Sequence, residues 1–324
     1  MAQRKSSFVN SRELEVLNSI QYPMIKSKNI IRKSVLVIGL MLISGIFIFA
    51  SKLELPSIWI AQFNPNYFPA KIDFAGEAVP LQIADVQERL DRELLVNKHL
   101  NASTFLILKR ARRAFSVIEP ILKKNGIPDD FKYVAVIESG LVNAVSPAGA
   151  KGVWQFMPET AKEIGLEVNE NVDERYHLEK ATEAACAYFL KAKERFGNWT
   201  LVAASYNAGG SGIKKQMDLQ KVTNYYDLLL NDETSRYVFR TLALKQIMQN
   251  PEQYGFPIGE EEKYRIVPTK KIAIDTTVND LASLAIQQGI NYKILKIHNP
   301  WLRATKLVNP TNKKYQLEIP LEGY

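Results

Sequence analysis

Apolar side chains recur every three or four positions between residues 82 and 249, and few runs there alternate with period two, so this stretch reads as mostly helical. The spacing predicts helices over 82–99 (Ile83, Val86, Leu90, Leu94, Leu95), 103–125 (Leu106, Leu108, Ala111, Phe115, Ile118, Leu122), 129–138, the alanine-rich 178–196, 200–206 and 234–249. Gly126-Ile127-Pro128 and Phe196-Gly197-Asn198 are breakers between them, and Pro158 is placed to open a further helix. The pattern changes after residue 257. A strand over 264–268, a helix over 278–288, a short helix over 292–298 stopped at Asn299-Pro300, and a closing strand over 315–319 give a β-α-α-β order, which predicts a small separate module. The fold class expected is mainly α, with a small α+β module at the C-terminal end.

A third pattern lies near the start. Residues 34–51, SVLVIGLMLISGIFIFAS, hold no charge, with Arg32 and Lys33 before them and Lys52 after. A helix of that length covers about 27 Å, close to a hydrocarbon core of about 30 Å. Residues 1–33 carry seven basic side chains against two acidic ones. This bias predicts an N-terminus in the cytoplasm and everything after residue 52 on the other side of the membrane. A cleaved leader is the competing reading. The long basic lead and the lack of an A-x-A-like site after the apolar run favour an uncleaved, single-pass anchor. The organisation predicted is a basic tail (1–33), a transmembrane anchor (34–51), a linker and approach segment dotted with Pro and aromatic residues (52–80), a helical domain (81–255) and the terminal module (264–320).

The chain has 324 residues, 46% of them apolar, which is enough for a substantial core. Its net charge is +8, but +5 of that sits in residues 1–33, so the basic balance does not argue for nucleic acid. The lone cysteine, Cys186, excludes an internal disulfide and a cysteine-based metal site, and its neighbours Ala184, Ala185 and Ala187 make it a small core residue. His99, His177 and His298 are scattered, and no phosphate loop, dinucleotide fingerprint or G-x-S-x-G elbow is present. No metal and no organic cofactor is expected.

The chemistry points to Glu138. It ends the apolar run Tyr133-Val-Ala-Val-Ile-Glu138 just before Ser139-Gly140, a helix stop. A carboxyl among apolar neighbours loses hydration, which raises its pKa and lets it serve as a general acid. Three further segments follow: Ser146-Pro-Ala-Gly-Ala-Lys-Gly-Val-Trp-Gln155-Phe-Met157-Pro158, Tyr206-Asn207-Ala208-Gly209, and Glu233-Thr-Ser-Arg236-Tyr237. Gly149, Gly152 and Gly209 allow close backbone approach to a ligand, while Gln155, Tyr206 and Asn207 supply amide and hydroxyl groups suited to sugars. The plainer readings are that Tyr206 is a core aromatic with a satisfied hydroxyl, that Gln155 and Asn207 serve turns or caps, that Trp154 and Trp199 are core, and that Arg236 makes a structural ion pair.

Taken in order, these four segments over residues 74–250 resemble the lytic transglycosylases with the soluble-lytic-transglycosylase, goose-type lysozyme-like domain, and most nearly the membrane-bound murein transglycosylase D subgroup. The resemblance implies a lysozyme-like helical domain. It implies cleavage of the β-1,4 bond between N-acetylmuramic acid and N-acetylglucosamine in peptidoglycan glycan strands, leaving 1,6-anhydro-muramoyl ends. It implies Glu138 as the single catalytic acid and base, Ser146 and Gln155 lining the cleft, Met157 against the sugar, Tyr206 and Asn207 beside the carboxyl, and Glu233 and Tyr237 on the far wall. Anchored in the inner membrane, the catalytic domain would face the periplasm. Residues 264–320 resemble a degenerate LysM module, departing from its pattern at Ile274, where a glycine usually stands. Either glycan binding or a structural cap on the catalytic domain fits that module. The residues alone also leave hydrolysis open, with Glu159, Glu163 or Glu233 as a second carboxylate, and a non-catalytic glycan-binding scaffold is the rival from another class.

Overall fold

In the computed structural model residues 67–322 are described. The anchor expected at 34–51 lies outside the described residues. Among the described residues no helix is long and apolar enough to cross a membrane.

The chain order is a hairpin of β1 (Asp73–Phe74) and β2 (Glu77–Ala78), then α1 (Ala84–His99), α2 (Asn101–Lys124), α3 (Lys132–Ser139), α4 (Pro158–Glu163), α5 (Leu178–Phe196), α6 (Trp199–Ala208), α7 (Gly210–Gln220) and α8 (Asp232–Gln249). The terminal module follows, with β3 (Thr269–Ile274), α9 (Leu281–Gln287), α10 (Tyr292–His298) and β4 (Tyr315–Pro320). The architecture is mainly helical, as the apolar spacing predicts.

Two helices bury more than half of their residues, α6 because it is apolar almost all round and α8 through one wide face. In α6, Thr200 through Ser205 are all buried, and in α8 Tyr237, Val238, Phe239, Leu242, Ala243, Leu244 and Ile247 are buried. Helix α8 packs against α1, α3 and α6, and α5 packs against α2 and α6. The small residues Ala181, Ala184, Ala185, Cys186 and Ala192 form much of the buried face of α5. Cys186 is thus the core residue its neighbours predict.

Residues 72–80 belong to this core, although the sequence places them at the end of a linker. Ile72, Phe74 and Val79 are buried. Glu77 explains why: its carboxylate accepts bonds from the backbone N–H of Trp199 (2.5 Å) and Thr200 (2.9 Å) and from the Thr200 hydroxyl (2.6 Å). A carboxylate there satisfies the free amides at the start of α6 and complements its dipole. Lys245, buried in α8, reaches back to Asp73 (3.2 Å) and Asp130 (2.7 Å), fixing the same hairpin.

Three element boundaries differ from expectation. The strand predicted at 264–268 starts instead at Thr269, after Pro268, which has no N–H to give to a ladder. Residues 264–265 run along α2, with the Tyr264 N–H donating to the Lys109 carbonyl and Arg113 donating to the Arg265 carbonyl. The helix predicted from 278 starts at Leu281, because the Asp280 side chain caps it through the Ala282 N–H and Val278 is paired with Leu307. Residues 129–138 divide into a 3-10 turn (Asp129–Phe131) and α3. Helix α7 has no counterpart in the sequence reading. It opens on Gly210-Ser-Gly and buries only Ile213, so it offers neither propensity nor period.

In the module β3 and β4 pair antiparallel, from Thr269 opposite Pro320 to Ile274 opposite Tyr315. Leu281, Ala285, Leu295, Trp301, Leu302, Leu307 and Leu317 fill a second core, which Val172 and Tyr176 of the helical domain also enter. Asn299, fully buried, staples it by donating to the Glu318 carbonyl (2.8 Å) and accepting from the Glu318 N–H (2.8 Å).

Candidate active site

Glu138 is the next-to-last residue of α3, after the buried run Tyr133–Ile137. Gly140 closes the helix at φ 60°, a left-handed position that turns the chain away from the carboxyl. Burial pushes the Glu138 carboxyl up to about 7, and the neighbouring charge of Glu233 acts in the same direction. Opposing them are the Tyr237 hydrogen bond and the Arg240 charge. The Tyr237 hydroxyl donates to Glu138 Oε1 at 2.5 Å. Arg240 is itself held by the Ile137 carbonyl at 3.3 Å. A carboxyl tuned to about 7 holds its proton for much of its time near neutral pH and can also give it up.

Tyr237, expected on the far wall, is therefore in direct contact with the carboxyl. Its hydroxyl is held well above its ordinary pKa by burial and by the charge of Glu138, so it stays a donor. Tyr206 is shifted the same way for the same reasons. Its hydroxyl donates to the Trp154 carbonyl at 2.7 Å, so the plainer reading holds for its hydrogen bond even though it lies within electrostatic reach of Glu138. Asn207 bridges the start of α8: its amide N–H donates to Glu233 Oε1 (2.9 Å), and its oxygen accepts from the Thr234 hydroxyl (2.8 Å). Glu233 is exposed.

The loop 144–157 carries the remaining candidates. The Ser146 hydroxyl accepts from the Ala150 N–H at 2.9 Å, closing a turn. Gln155 has φ 52°, a strained value for a residue with a Cβ, and its amide donates to the carbonyls of Ala144 (3.1 Å) and Gly152 (2.7 Å). It braces the loop from inside. Met157 is exposed and stands just before Pro158, the first residue of α4. Trp154 is fully buried and its ring N–H donates to Thr182. Arg236 pairs with buried Glu93 at 2.7 Å. Both meet the structural expectation.

The structure therefore groups Glu138, Tyr237, Tyr206, Asn207 and Glu233 around the ends of three helices, with Ser146, Gln155 and Met157 on one braced loop. Four residues that the sequence did not single out complete the arrangement. Arg240 acts electrostatically on Glu138, and Arg110 donates to the Gly140 carbonyl at 3.1 Å. Asp173 and Arg175 form a buried pair, with Arg175 Nε on Asp173 Oδ1 (2.8 Å) and Nη2 on Oδ2 (2.7 Å). Arg175 also donates to the loop carbonyls of Gly149 (3.3 Å) and Phe156 (3.2 Å). Only the i,i+3 spacing of Arg240 from Tyr237 offered a signal. Among the described residues no cluster of three His, Cys, Asp or Glu is placed to hold a metal ion. A groove of about 790 Å³ between α2, α5 and Lys313 does not include Glu138.

Residues 115–228 match the model of the transglycosylase SLT domain, which includes Glu138, the loop and Tyr206-Asn207. Residues 270–323 match the soluble lytic transglycosylase C-terminal LysM-like domain, in agreement with the extent of the terminal module. The chain carries an SLT transglycosylase domain followed by a LysM-like domain. It is homologous to "Membrane-bound lytic murein transglycosylase D" of Escherichia coli (strain K12), with 28% identity over 243 residues, covering 72% of this chain and 52% of the relative. The protein of the same name from Escherichia coli O6:H1 matches to the same extent. The chain thus spans about half the length of the curated relatives it matches. A solved structure of an inactive mutant of lytic transglycosylase Slt from Pseudomonas aeruginosa is 21% identical, covers 47% of this chain and 26% of that one, and superposes with a TM-score of 0.34. That superposition is too slight to carry an argument. Glu233 and Tyr237 lie beyond the stretch matched to the SLT domain, yet they meet its residues at the site.

Proposed function

We propose that the protein is a peptidoglycan lytic transglycosylase, a lyase that cleaves the β-1,4 bond between N-acetylmuramic acid and N-acetylglucosamine and leaves a 1,6-anhydro-muramoyl end. The observation that carries this reading is Glu138 within the SLT-matched stretch, its carboxyl buried, raised to about 7 and held by Tyr237. In the first half of the reaction protonated Glu138 gives its proton to the bridging glycosidic oxygen as the bond from C1 breaks. In the second half the Glu138 carboxylate removes the proton from the muramoyl C6 hydroxyl as that oxygen bonds C1. One proton leaves the carboxyl and one returns, and no water enters. The attacking hydroxyl belongs to the substrate, which makes the second half intramolecular and entropically inexpensive. Tyr237 and Arg240 stabilise the carboxylate formed between the two halves.

The remaining roles follow from the same reading. Met157, exposed at the end of the loop, packs on the sugar, while Asn207, Ser146 and Gln155 shape the polar wall, with Glu233 at its rim. The lysozyme-like domain would face the periplasm, tethered to the inner membrane by residues 34–51, with peptidoglycan as its partner and no cofactor.

One observation favours a second reading, a muramidase that uses water. Glu233 is near enough to raise the Glu138 carboxyl, whereas Glu159 and Glu163 are exposed and exert no such influence on it. Of these three, Glu233 is the candidate for a second carboxylate. The direct test is release of soluble fragments from purified peptidoglycan by the chain and by its Glu138→Gln variant. The proposal expects release by the first and a loss of at least about 10²-fold in the second, the usual cost of removing a general acid. Binding of sacculi without release by either protein would favour a scaffold instead.

A further inference from the structure

The segment 172–176 serves two masters. Its alternate residues Asp173 and Arg175 face the active-site loop, where Arg175 holds the carbonyls of Gly149 and Phe156. Gly152 lies so close that a Cβ there would stand 1.9 Å from the Arg175 carbonyl oxygen. The other alternate residues, Val172 and Tyr176, enter the core of the terminal module.

The module grips this segment along its length. The Asp173 N–H donates to the Trp301 carbonyl (2.9 Å), and the Arg303 N–H donates to the Asn171 carbonyl (2.7 Å). The Arg303 guanidinium lies 4.2 Å from the centre of the Tyr176 ring, and the Trp301 ring stacks on His177 at 5.7 Å and on Tyr315 at 5.6 Å. Lys313 pairs with Glu167 (2.5 Å) and Glu174 (3.2 Å), and the Tyr315 hydroxyl reaches Glu167 at 3.0 Å.

We propose that the LysM-like module is a positioning element for the substrate loop 144–157, acting through the segment 172–176, with Arg175 as the positioning residue. A module that served only to bind glycan would have no need to share its core with the helical domain. Here Val172 and Tyr176 complete that core, and the next residues in each direction hold the loop. Docking of the module therefore fixes the Asp173–Arg175 pair, the pair fixes the loop carbonyls, and the loop presents Ser146, Gln155 and Met157. Misplacing such a loop by a fraction of its width is enough to cost substantial rate.

The test loosens the grip from the module side. In the full chain, Arg303→Ala combined with Lys313→Ala removes the ring contact and the ion pairs while leaving the module core intact. Amide hydrogen exchange then reads the loop directly. The proposal expects exchange over 144–157 to rise about tenfold, with α8 unchanged, and KM for soluble glycan strands to rise about tenfold while the pH limb set by Glu138 stays in place. Arg175→Lys should give the same loss, and combining all three substitutions should add little further, since they act on one path. Unchanged loop exchange in the module-side variant would overturn the proposal, as would losses that simply add. The kinetic arm rests on the proposed activity, but the exchange arm does not. Faster loop exchange in a chain without transglycosylase activity would keep the positioning role and remove the activity. If Arg175→Lys does not fold, the module-side variant decides alone.

Discussion

The Tyr237 hydroxyl donates a 2.5 Å hydrogen bond to Glu138 across 99 positions of sequence, joining the two central helical elements of the site through one proton. The bond favours the charged carboxylate and so opposes the upward push of burial. Tyr237→Phe removes it while keeping the ring. The carboxyl should then rise further, so the alkaline limb of the activity profile moves to higher pH. The maximal rate should fall by about 10–100-fold as the carboxylate loses its donor. A pH–rate profile of the variant with an unmoved limb would show that the bond does not tune the acid.

A carboxyl raised to about 7 from 4.5 destabilises the fold once it ionises. Between those two values the native state binds more protons than the unfolded chain, so stability declines as pH rises through that window. Above it the full penalty, about 3 kcal/mol, is present. Glu138→Gln cannot ionise and should therefore be more stable than the parent by up to about 3 kcal/mol at pH 8 and nearly equal to it at pH 4. Denaturant midpoints at the two pH values check this. A variant no more stable at pH 8 than at pH 4, relative to the parent, contradicts the buried-acid account.

Gly152 has φ 85° and no room for a side chain against the Arg175 backbone. Gly152→Ala combines backbone strain with a clash that only movement of the loop or of the segment 172–176 can relieve. A loss of about 2–5 kcal/mol follows, together with lower activity at temperatures where the chain stays folded. Gly149→Ala, at φ 92° but with open space around it, should cost less. Thermal denaturation of the two variants gives the ordering.

Lys245 is buried against Asp73 and Asp130, and Ala75 shares the Asp130 carboxylate through its N–H. Lys245→Ala leaves the Asp130 carboxylate short of a countercharge and should cost about 3–5 kcal/mol. Lys245→Ala with Asp130→Asn should recover part of that loss, measured by the same denaturant titration.

Much of the site is written locally, and the structure shows where local writing ends. Glu138 stands out because the apolar run before it and the Ser-Gly after it are neighbours in sequence. The helices follow from apolar spacing, and Pro158 opens α4 as its geometry demands. Tyr237 was visible as a residue but not as the partner of Glu138, since nothing in a sequence period sets which turn of α8 faces α3. Asp173 and Arg175 carry no local signal in the run Asp173-Glu-Arg-Tyr, and only tertiary packing buries them. The hairpin at 73–78 was hidden for the same reason. Its strands are two residues each, and its place is set by Glu77 capping a helix more than a hundred positions away.

In the proposed mechanism one carboxyl, Glu138, serves as acid and then as base, with a hydroxyl of the substrate in place of water. Mass spectrometry of the soluble products from purified peptidoglycan tests it most directly. Muropeptides with 1,6-anhydro ends, each lighter by one water than a hydrolysis product, are expected, and they should disappear with Glu138→Gln. Products with reducing ends would contradict it and favour hydrolysis with a second carboxylate.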